Sequence, residues 1–247
     1  DERQNSVLGM PSTPVFGAVT VIDTQSRQLI DVIYDVGVEP YGLAVAPNGK
    51  WFAVSGFRSG TVKFFNAVTH ALLLEHQYSR SLNFIPPPLT VKDVDENRDG
   101  LADLGDPRGF TIRSDSLALY VTHHKSPYLS VLDLALNANG LPTSVLLGAK
   151  IHIDDYPFHP ILNPVPVQEI KSQGVPRFME DIALSPDGSI AVIPHLLHNV
   201  NHDVNHDFGA ALEGDFANRV YPALTLIDAF NESYGQAGDS SKRLHHE

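Results

Sequence analysis

Short runs of apolar residues alternate with polar turns along most of the chain, and one such arrangement recurs three times. The three copies are GLAVAPNGKWFAVS at Gly42–Ser55, GFTIRSDSLALYVT at Gly109–Thr122 and DIALSPDGSIAVIP at Asp181–Pro194. Each copy has two apolar runs separated by Pro, Asn, Asp, Ser or Gly residues, which accept the tight backbone of a turn. The pattern therefore predicts three antiparallel hairpins.

A third apolar run follows each hairpin and ends on a short polar residue. These runs are TVKFFNA at Thr61–Ala67, YLSVLDL at Tyr128–Leu134 and ALTLIDA at Ala223–Ala229, and a further copy, AVTVIDT at Ala18–Thr24, precedes the first hairpin. A short polar side chain accepts backbone N–H bonds and starts a turn, which predicts strand ends at Asp23, Asn66, Asp133 and Asp228. RQLIDVI and ALLLEH predict a fourth strand in the first two copies.

Four antiparallel strands in each repeat predict an all-β fold, a β-propeller built from four-stranded blades. The blade repeats lie near 15–77, 109–150 and 178–230, and insertions near 79–108, 137–177 and 195–222 interrupt this one segment of 1–247. Roughly three and a half blades fit in the chain. A two-sheet β-sandwich is the alternative, but it does not require the same hairpin-plus-strand unit to recur.

The segment 15–69 carries VTVIDT, VGVEPYGLAVAPNGKWFAVS and GTVKFFNAVT, and it resembles the YVTN-type β-propellers of bacterial and archaeal extracytoplasmic proteins. The resemblance implies a ring of about seven blades. It also implies a location outside the cytoplasm, in the periplasm, at the cell surface or in the medium. Because an open arc of blades leaves exposed sheet edges, we expect further blades of a longer polypeptide, or a protein partner, to complete the ring.

The first insertion contains DENRDGLADLGD, whose spacing matches the calcium loop of an EF-hand when Asp95 is position 1. Gly100 then falls where that loop turns sharply. The predicted calcium ligands are Asp95, Asn97, Asp99, Leu101 through its carbonyl, Asp103 and Asp106, with Asp93 as a supporting ligand. The alternative is a solvated acidic turn, since Asp, Asn and Gly are also turn formers. A bound ion would fasten the insertion to the propeller, which is a structural role.

A group of histidines follows the third hairpin. Its members are His195, His198, His202 and His206. Imidazole groups bind zinc, copper and iron, so this segment is a candidate transition-metal site. The alternative is a polar surface loop with unligated histidines. His123 and His124 end the equivalent strand of the preceding repeat, which places both histidine groups on one rim.

Charge and composition exclude several classes of function. The chain has 29 acidic and 17 basic residues, a net charge of −12, which disfavours nucleic acid as a partner. No apolar run reaches the roughly 18 residues of a membrane-spanning helix. The absence of cysteine excludes disulfides, thiolate nucleophiles and covalent c-type haem attachment within this sequence.

Two further segments, PHLL at Pro194–Leu197 and YPALTLID at Tyr221–Asp228, resemble the propeller half of YVTN-like proteins joined to a c-type dihaem domain. This resemblance implies a c-type cytochrome or peroxidase-like module as a partner, with its haem chemistry outside this sequence. The predicted function is a calcium-binding scaffold for a protein partner, a binding module rather than an enzyme, with no catalytic residues assigned. A redox-associated or transition-metal-binding propeller and a lactonase-like hydrolase are the two alternatives.

Overall fold

The computed structural model describes residues 16–78, 104–124, 126–153, 156–157, 173–199, 220–229 and 243–244. Every regular element in these residues is a β-strand, and all the strand pairs are antiparallel. The all-β prediction is therefore confirmed. No helix that would be long and apolar enough to cross a membrane is found in the part of the chain that the structure describes.

The first sheet has two strands, β1 (Phe16–Ile22) and β2 (Leu29–Val38). Its turn begins at Asp23, whose Oδ1 accepts hydrogen bonds from the backbone N–H groups of Gln25 at 3.0 Å and Ser26 at 2.6 Å. The predicted polar strand end is confirmed here, because the carboxylate satisfies two amides that the turn leaves without a strand partner.

The second sheet is a full four-stranded blade in the order β3 (Pro40–Val45), β4 (Trp51–Gly56), β5 (Thr61–Asn66), β6 (Leu72–Gln77). Neighbours along the chain are neighbours in the sheet, which is the arrangement that the hairpin-plus-strand repeat predicts. Asn66 starts the turn after β5 as Asp23 does after β1, with its Oδ1 accepting from the amides of residues 68 and 69 at 2.8 and 2.9 Å.

The third sheet repeats this order with β7 (Pro107–Ile112), β8 (Ala118–His123), β9 (Tyr128–Leu136) and β10 (Pro142–His152). The predicted strand end at Asp133 is wrong, since β9 continues past it while paired along its length with the long strand β10. Asn137 starts the turn instead, and its Oδ1 accepts from the amides of residues 139 and 141 at 2.9 and 3.1 Å.

The fourth sheet contains the third repeat and a strand from the second insertion. Its strands are β11 (Tyr156–Pro157), β12 (Gln173–Arg177), β13 (Ala183–Leu184), β14 (Ile190–Asn199), β15 (Val220–Asp228) and β16 (Arg243–Leu244). The first part of β14 pairs with β13 and its last part with β12, while β15 pairs along the whole of β14. The third interruption, near 195–222, thus begins with residues that continue a blade strand.

The three blade hairpins make the same turn at equivalent positions. The residue two places before β4, β8 and β14 is Gly49, Ser116 or Gly188, with φ of 68°, 63° and 73°. Its N–H donates to the carbonyl three residues earlier at 2.8 Å in each blade. Glycine adopts this left-handed conformation without strain, whereas Ser116 is one of the few non-glycine residues here that do.

Buried apolar residues form three clusters, and each cluster lies between two consecutive sheets. Successive side chains of β4 point to opposite faces: Phe52 and Val54 pack towards the two-stranded sheet, whereas Trp51 and Ala53 pack towards the next blade. The side chains of β8 also alternate: Leu119 and Val121 pack towards the blade before, whereas Ala118 and Tyr120 pack towards the blade after. Sheets stacked face to face in this order are the blades of a β-propeller, and the predicted fold class is confirmed.

The first strand of each blade hairpin, which we call the inner strand, packs against the inner strand of the next blade. In the described residues β3 contacts β7 and β7 contacts β13, while the outer strands β6 and β10 contact each other. Gly42 and Gly109 lie at these inner contacts, and a Cβ on either residue would collide with the backbone carbonyl of Arg108 or Glu180 in the next blade. Side chains at the beginnings of the three inner strands are therefore brought close together.

Candidate functional site

The end of the acidic insertion is fastened to the blade that follows it. His124 donates its backbone N–H to the carbonyl of Asp106 at 3.1 Å, and Nδ1 of His123 lies 2.9 Å from the carbonyl of Gly105. Asp106 itself has a left-handed backbone with φ of 54°. The last two residues of the predicted calcium loop are thus held at the end of β8.

The other predicted calcium ligands lie outside the described residues. They are Asp95, Asn97, Asp99, Leu101 and Asp103, together with the supporting Asp93. Calcium at this loop stays a prediction. Across the part of the chain that the structure describes, no group of three or more His, Asp or Glu side chains has an arrangement suited to a metal ion.

Behind that anchor is a directional chain of buried hydrogen bonds. A carbonyl only accepts, so Nδ1 of His123 carries the proton that bonds Gly105, and in the neutral ring Nε2 accepts from the hydroxyl of Ser130 at 2.9 Å. The hydroxyl of Tyr78 then donates to Ser130 at 2.7 Å. Both nitrogens of the His123 ring have hydrogen-bond partners, which identifies it as a core histidine.

Burial determines the protonation of this chain. His123 is fully buried, and desolvation lowers its pKa from 6.5 to about 4. The same cause raises the pKa of Tyr78 above its ordinary value. His123, Ser130 and Tyr78 are therefore uncharged at neutral pH, and their hydrogen bonds hold the end of the loop without a buried ion.

His195 is the counterpart of His123 in the next blade. Thr225 pairs with Ile193 as Ser130 pairs with Val121, so the two hydroxyl residues have the same place in consecutive blades. Nε2 of His195 lies 2.8 Å from Oγ1 of Thr225, and the imidazole is 6% exposed. Burial lowers the pKa of His195 as well.

The remaining histidines of the candidate transition-metal site are not brought together by the described structure. His198 lies on β14, and the described part of the structure does not include its side chain. His202 and His206 lie outside the described residues. The transition-metal site stays a prediction, and the one member whose side chain is described is engaged with Thr225.

A second cluster, which the sequence did not indicate, lies where the three inner strands begin. Three residues of this cluster come from equivalent positions of the three blades. The inner-strand residues Ala44, Thr111 and Ala183 pair with equivalent positions of the second strands. Three residues before each of them lie Tyr41, Arg108 and Glu180. They therefore occupy one position in three consecutive blades. We call this group, with Phe57 and His124, the rim cluster.

Glu180 connects the three blades through its carboxylate. Its Oε2 lies 3.2 Å from Nη1 of Arg108, and its Oε1 lies 2.6 Å from Nδ1 of His124. The neighbouring carboxylate of Glu180 is the main cause that raises the pKa of Tyr41. One carboxylate from the third blade thus contacts one group of the first blade and two of the second.

The guanidinium of Arg108 contacts two aromatic rings. Its central carbon is 4.2 Å from the ring centre of Tyr41 and 4.0 Å from that of Phe57, so it makes two cation–π contacts. The ring of His124 packs edge-on against Phe57 at 5.5 Å. Desolvation lowers the pKa of His124 in spite of the neighbouring carboxylate. This arrangement holds neighbouring blades together, and it also places an acid and an imidazole in contact at the rim.

Sequence reasoning missed the rim cluster because its members differ in residue type. The signal was the variable residue of Pro-Tyr-Gly at 40–42 and Pro-Arg-Gly at 107–109, which has its counterpart in Met-Glu-Asp at 179–181. An alignment of the three repeats places these residues together, although only the stacking of blades brings them into contact.

No family model matches this chain, and no curated protein matches it in sequence. It is similar in fold to the β-propeller domain of Cps50 (Swd1) from Myceliophteria thermophila, with 9% identity, a TM-score of 0.48, and coverage of 87% of this chain and 51% of that one. A candidate 6-phosphogluconolactonase from Bacteroides uniformis matches with 13% identity, a TM-score of 0.43, and coverage of 76% and 45%.

Hydrazine synthase of Kuenenia stuttgartiensis is similar at 16% identity and a TM-score of 0.42, with coverage of 85% of this chain and 56% of that one. The chain spans about half the length of the solved structures it matches. These similarities concern the fold alone, and the blade assignment depends on the strand pairing within this chain.

Proposed function

We propose that this chain is a calcium-stiffened β-propeller segment that serves as a binding scaffold for a protein partner outside the cytoplasm. The observation that carries the proposal is the calcium-loop spacing of Asp95–Asp106, and the hydrogen bonds from His123 and His124 to the last two residues of this loop connect it to the blade. An ion that ordered the loop would act on these two residues, and through them on the blade.

The mechanism is geometric. Loops on a rigid scaffold are where binding groups usually lie, and a long acidic loop without an ion suffers repulsion among its carboxylates. Calcium would neutralise Asp95, Asp99, Asp103 and Asp106 and fix the loop relative to β7 and β8. The ordered loop would then present a defined surface to the partner without paying for ordering at the moment of binding.

The extracytoplasmic location and the YVTN-type family are supported by the resemblance of segment 15–69. A c-type cytochrome module is a candidate partner on the resemblance of Pro194–Leu197 and Tyr221–Asp228. Copper, zinc or iron at the histidine group would bind His195 through Nδ1, which is buried without a hydrogen-bond partner in the described residues, because Nε2 already bonds Thr225.

Thermal unfolding in calcium, magnesium and EDTA tests the proposal. Extracellular calcium modules have Kd values of about 0.1–1 mM, so 10 mM calcium would add about 1.4–2.7 kcal/mol of stability. This corresponds to roughly 3–10 °C in Tm for a chain of this size. Magnesium should give a smaller shift, since it favours a tighter octahedral site.

Asp99→Asn is the matched test variant, because it removes one charged oxygen at loop position 5. It should lose most of the calcium-dependent rise in Tm. Glu39→Gln is the control, because the side chain of Glu39 forms an exposed ion pair with Arg58 at 3.3 Å, and this variant should keep the full rise. Equal Tm values in calcium and EDTA for the unaltered chain would contradict the proposal.

A second candidate function, hydrolysis at the rim, is favoured by the 2.6 Å contact between His124 and Glu180. An imidazole and a carboxylate in contact are a pair that general acid–base chemistry uses. The scaffold role is preferred because Glu180 is also engaged by Arg108 and Tyr41. Lactone hydrolysis that is abolished in Glu180→Gln but retained in Glu39→Gln would reverse this preference.

A further inference from the structure

Three turns of the described blades place a glycine directly after an asparagine or an aspartate. They are the turns at 46–49, 137–140 and 185–188, which end on Gly49, Gly140 and Gly188. The N–H of each glycine donates to the carbonyl three residues earlier at 2.8, 2.9 or 2.8 Å, and the glycine φ is 68°, 75° or 73°. The backbone is therefore alike in the three turns, which differ in how the side chain before the glycine is held.

An asparagine followed by a glycine is the sequence at which a backbone most readily attacks its own side chain. The glycine nitrogen bonds to Cγ of the asparagine and the bond from Cγ to Nδ2 breaks, so that ammonia leaves with the proton that the backbone nitrogen gives up. Water then opens the resulting five-membered imide at either carbonyl, which yields aspartate or isoaspartate. Glycine favours the attack because it has no Cβ beside the nitrogen, and asparagine is one of the thermolabile residues.

The side-chain amide of Asn48 is held at both of its polar atoms. Its Oδ1 accepts from the N–H of Lys50 at 2.9 Å, and its Nδ2 donates to the carbonyl of Gly140 in the next blade at 2.9 Å. Rotation of this amide towards the nitrogen of Gly49 would break both bonds. The turn at 46–49 therefore protects Asn48, although the residue is exposed.

The carboxylate of Asp187 is held as well. Its Oδ1 accepts from the hydroxyl of Ser185 at 2.6 Å, and from the N–H and the hydroxyl of Ser189 at 3.0 and 2.8 Å. The bond from Ser185 is the largest of the causes that lower the pKa of Asp187 to about 2. The group is therefore ionised at neutral pH, and a carboxylate is a poor target for a nitrogen nucleophile.

Asn139 has the same backbone without such bonds. Its main-chain N–H donates to Oδ1 of Asn137 at 2.9 Å, but its exposed side-chain amide makes no hydrogen bond to any residue that the structure describes. Rotation of this amide towards the nitrogen of Gly140 breaks no side-chain bond. The one hydrogen bond that the reaction must break is the turn bond of the glycine, which the other two turns also have.

We propose that Asn139 is a site of spontaneous deamidation, in which water is the co-reactant and isoaspartate and aspartate are the products. The modification adds a negative charge, and isoaspartate lengthens the backbone before Gly140 by a methylene group. The carbonyl of Gly140 accepts from Asn48 of the blade before, so the modification acts on a contact between two blades. The inference goes beyond the proposed binding role and does not depend on it.

Peptide mapping of the intact folded chain tests the proposal, because trypsin separates the two asparagine–glycine pairs. It releases residues 28–50, whose one asparagine is Asn48, and residues 126–150, which contain Asn137 and Asn139. During incubation at mildly alkaline pH, peptide 126–150 should gain the mass difference between water and ammonia. The gain should be at least about tenfold faster than in peptide 28–50, a factor that corresponds to about 1.4 kcal/mol of side-chain hydrogen bonding.

The chain unfolded in guanidinium chloride is the control for the role of structure. Unfolding removes both bonds of Asn48, so the two peptides should then be modified at similar rates. Asn139→Gln is the matched variant, because glutamine must close a larger ring and the substituted side chain is exposed in the fold. Peptide 126–150 of this variant should keep its original mass.

Three results would overturn the proposal. The first is modification of peptide 28–50 in the folded chain as fast as that of 126–150, or faster. The second is an unmodified peptide 126–150 in the folded chain over a period in which the unfolded chain is modified. The third is a mass gain that persists in Asn139→Gln, which would place the reaction at Asn137.

Discussion

Arg108 and Glu180 occupy the same position in consecutive blades and form an ion pair across the blade boundary, with Nη1 and Oε2 3.2 Å apart. Their side chains are 17% and 37% exposed, so water screens the pair only in part. The same carboxylate also contacts His124 and Tyr41. The rim cluster thus joins three blades, and Glu180 is the one acidic side chain among its five residues.

Glu180→Ala should lower the free energy of unfolding by about 1–2 kcal/mol, because it leaves Arg108 without its acidic partner in a half-buried setting. Urea denaturation of the single and double variants Arg108→Ala and Glu180→Ala measures the coupling. The exposed pair Glu39–Arg58 provides the control, with an expected coupling below about 1 kcal/mol. Additive effects of Arg108→Ala and Glu180→Ala would show that the pair contributes nothing between blades.

Gly109→Ala should destabilise the chain strongly, by about 2 kcal/mol or more, because its Cβ would lie 2.5 Å from the backbone carbonyl of Glu180 in the next blade. The carbonyl of Glu180 belongs to the backbone and cannot move aside as the end of a flexible side chain can. Gly49→Asn is the control, since its side chain would enter open space and asparagine tolerates the left-handed backbone. A wild-type unfolding midpoint for Gly109→Ala would show that the blades are farther apart than described.

Stability should fall as pH is lowered from about 6.5 towards 4, in part because of His123. Burial lowers the pKa of His123 to about 4 in the folded chain, while the unfolded chain binds the proton near the ordinary value of 6.5. The contribution is fully present above 6.5 and is lost as pH falls, with a slope of at most about 1.4 kcal/mol per pH unit. His123→Gln should reduce the slope of the unfolding free energy against pH by up to about 1.4 kcal/mol per pH unit, the equivalent of one proton, in urea titrations. An unchanged slope would show that His123 is exposed or charged.

Ser130→Ala should cost more stability than Tyr78→Phe. The serine hydroxyl joins His123 to Tyr78, so its removal leaves a ring nitrogen and a phenol buried without partners, at about 2–3 kcal/mol. Tyr78→Phe removes one donor and leaves the bond from Ser130 to His123 intact, at about 1 kcal/mol. Chemical denaturation of both variants gives the order, and the reverse order would contradict the role of Ser130 as the bridge between His123 and Tyr78.

The blades could be predicted from the sequence because their signals are local. Turn residues at 47–49, 114–116 and 186–188 mark hairpins that the structure contains, and the short polar residues at Asp23 and Asn66 end strands as expected. The prediction of a strand end at Asp133 was wrong, because pairing with the long strand β10 extends β9 beyond this residue. Tertiary pairing overrode a local turn signal at that position.

The rim cluster could not be predicted, because its contacts join residues of different type that are far apart in sequence. Tyr41, Arg108 and Glu180 meet only when three sheets stack in register. The histidine group shows that residue type alone does not predict where a side chain lies. His195 has the residue type of a metal ligand, but its place in β14 turns the imidazole into the core, where it bonds Thr225.

Amide hydrogen exchange at His124, measured with calcium and with EDTA, tests whether the loop transmits ion binding to the blade. The N–H of His124 bonds the carbonyl of Asp106, the last predicted calcium ligand. Calcium should slow exchange at His124 and leave the hairpin amide of Ala46, bonded to Trp51 at 2.9 Å in the blade before, unchanged apart from any global stabilisation. Equal exchange at His124 in calcium and EDTA would show that the blade does not respond to calcium at the loop.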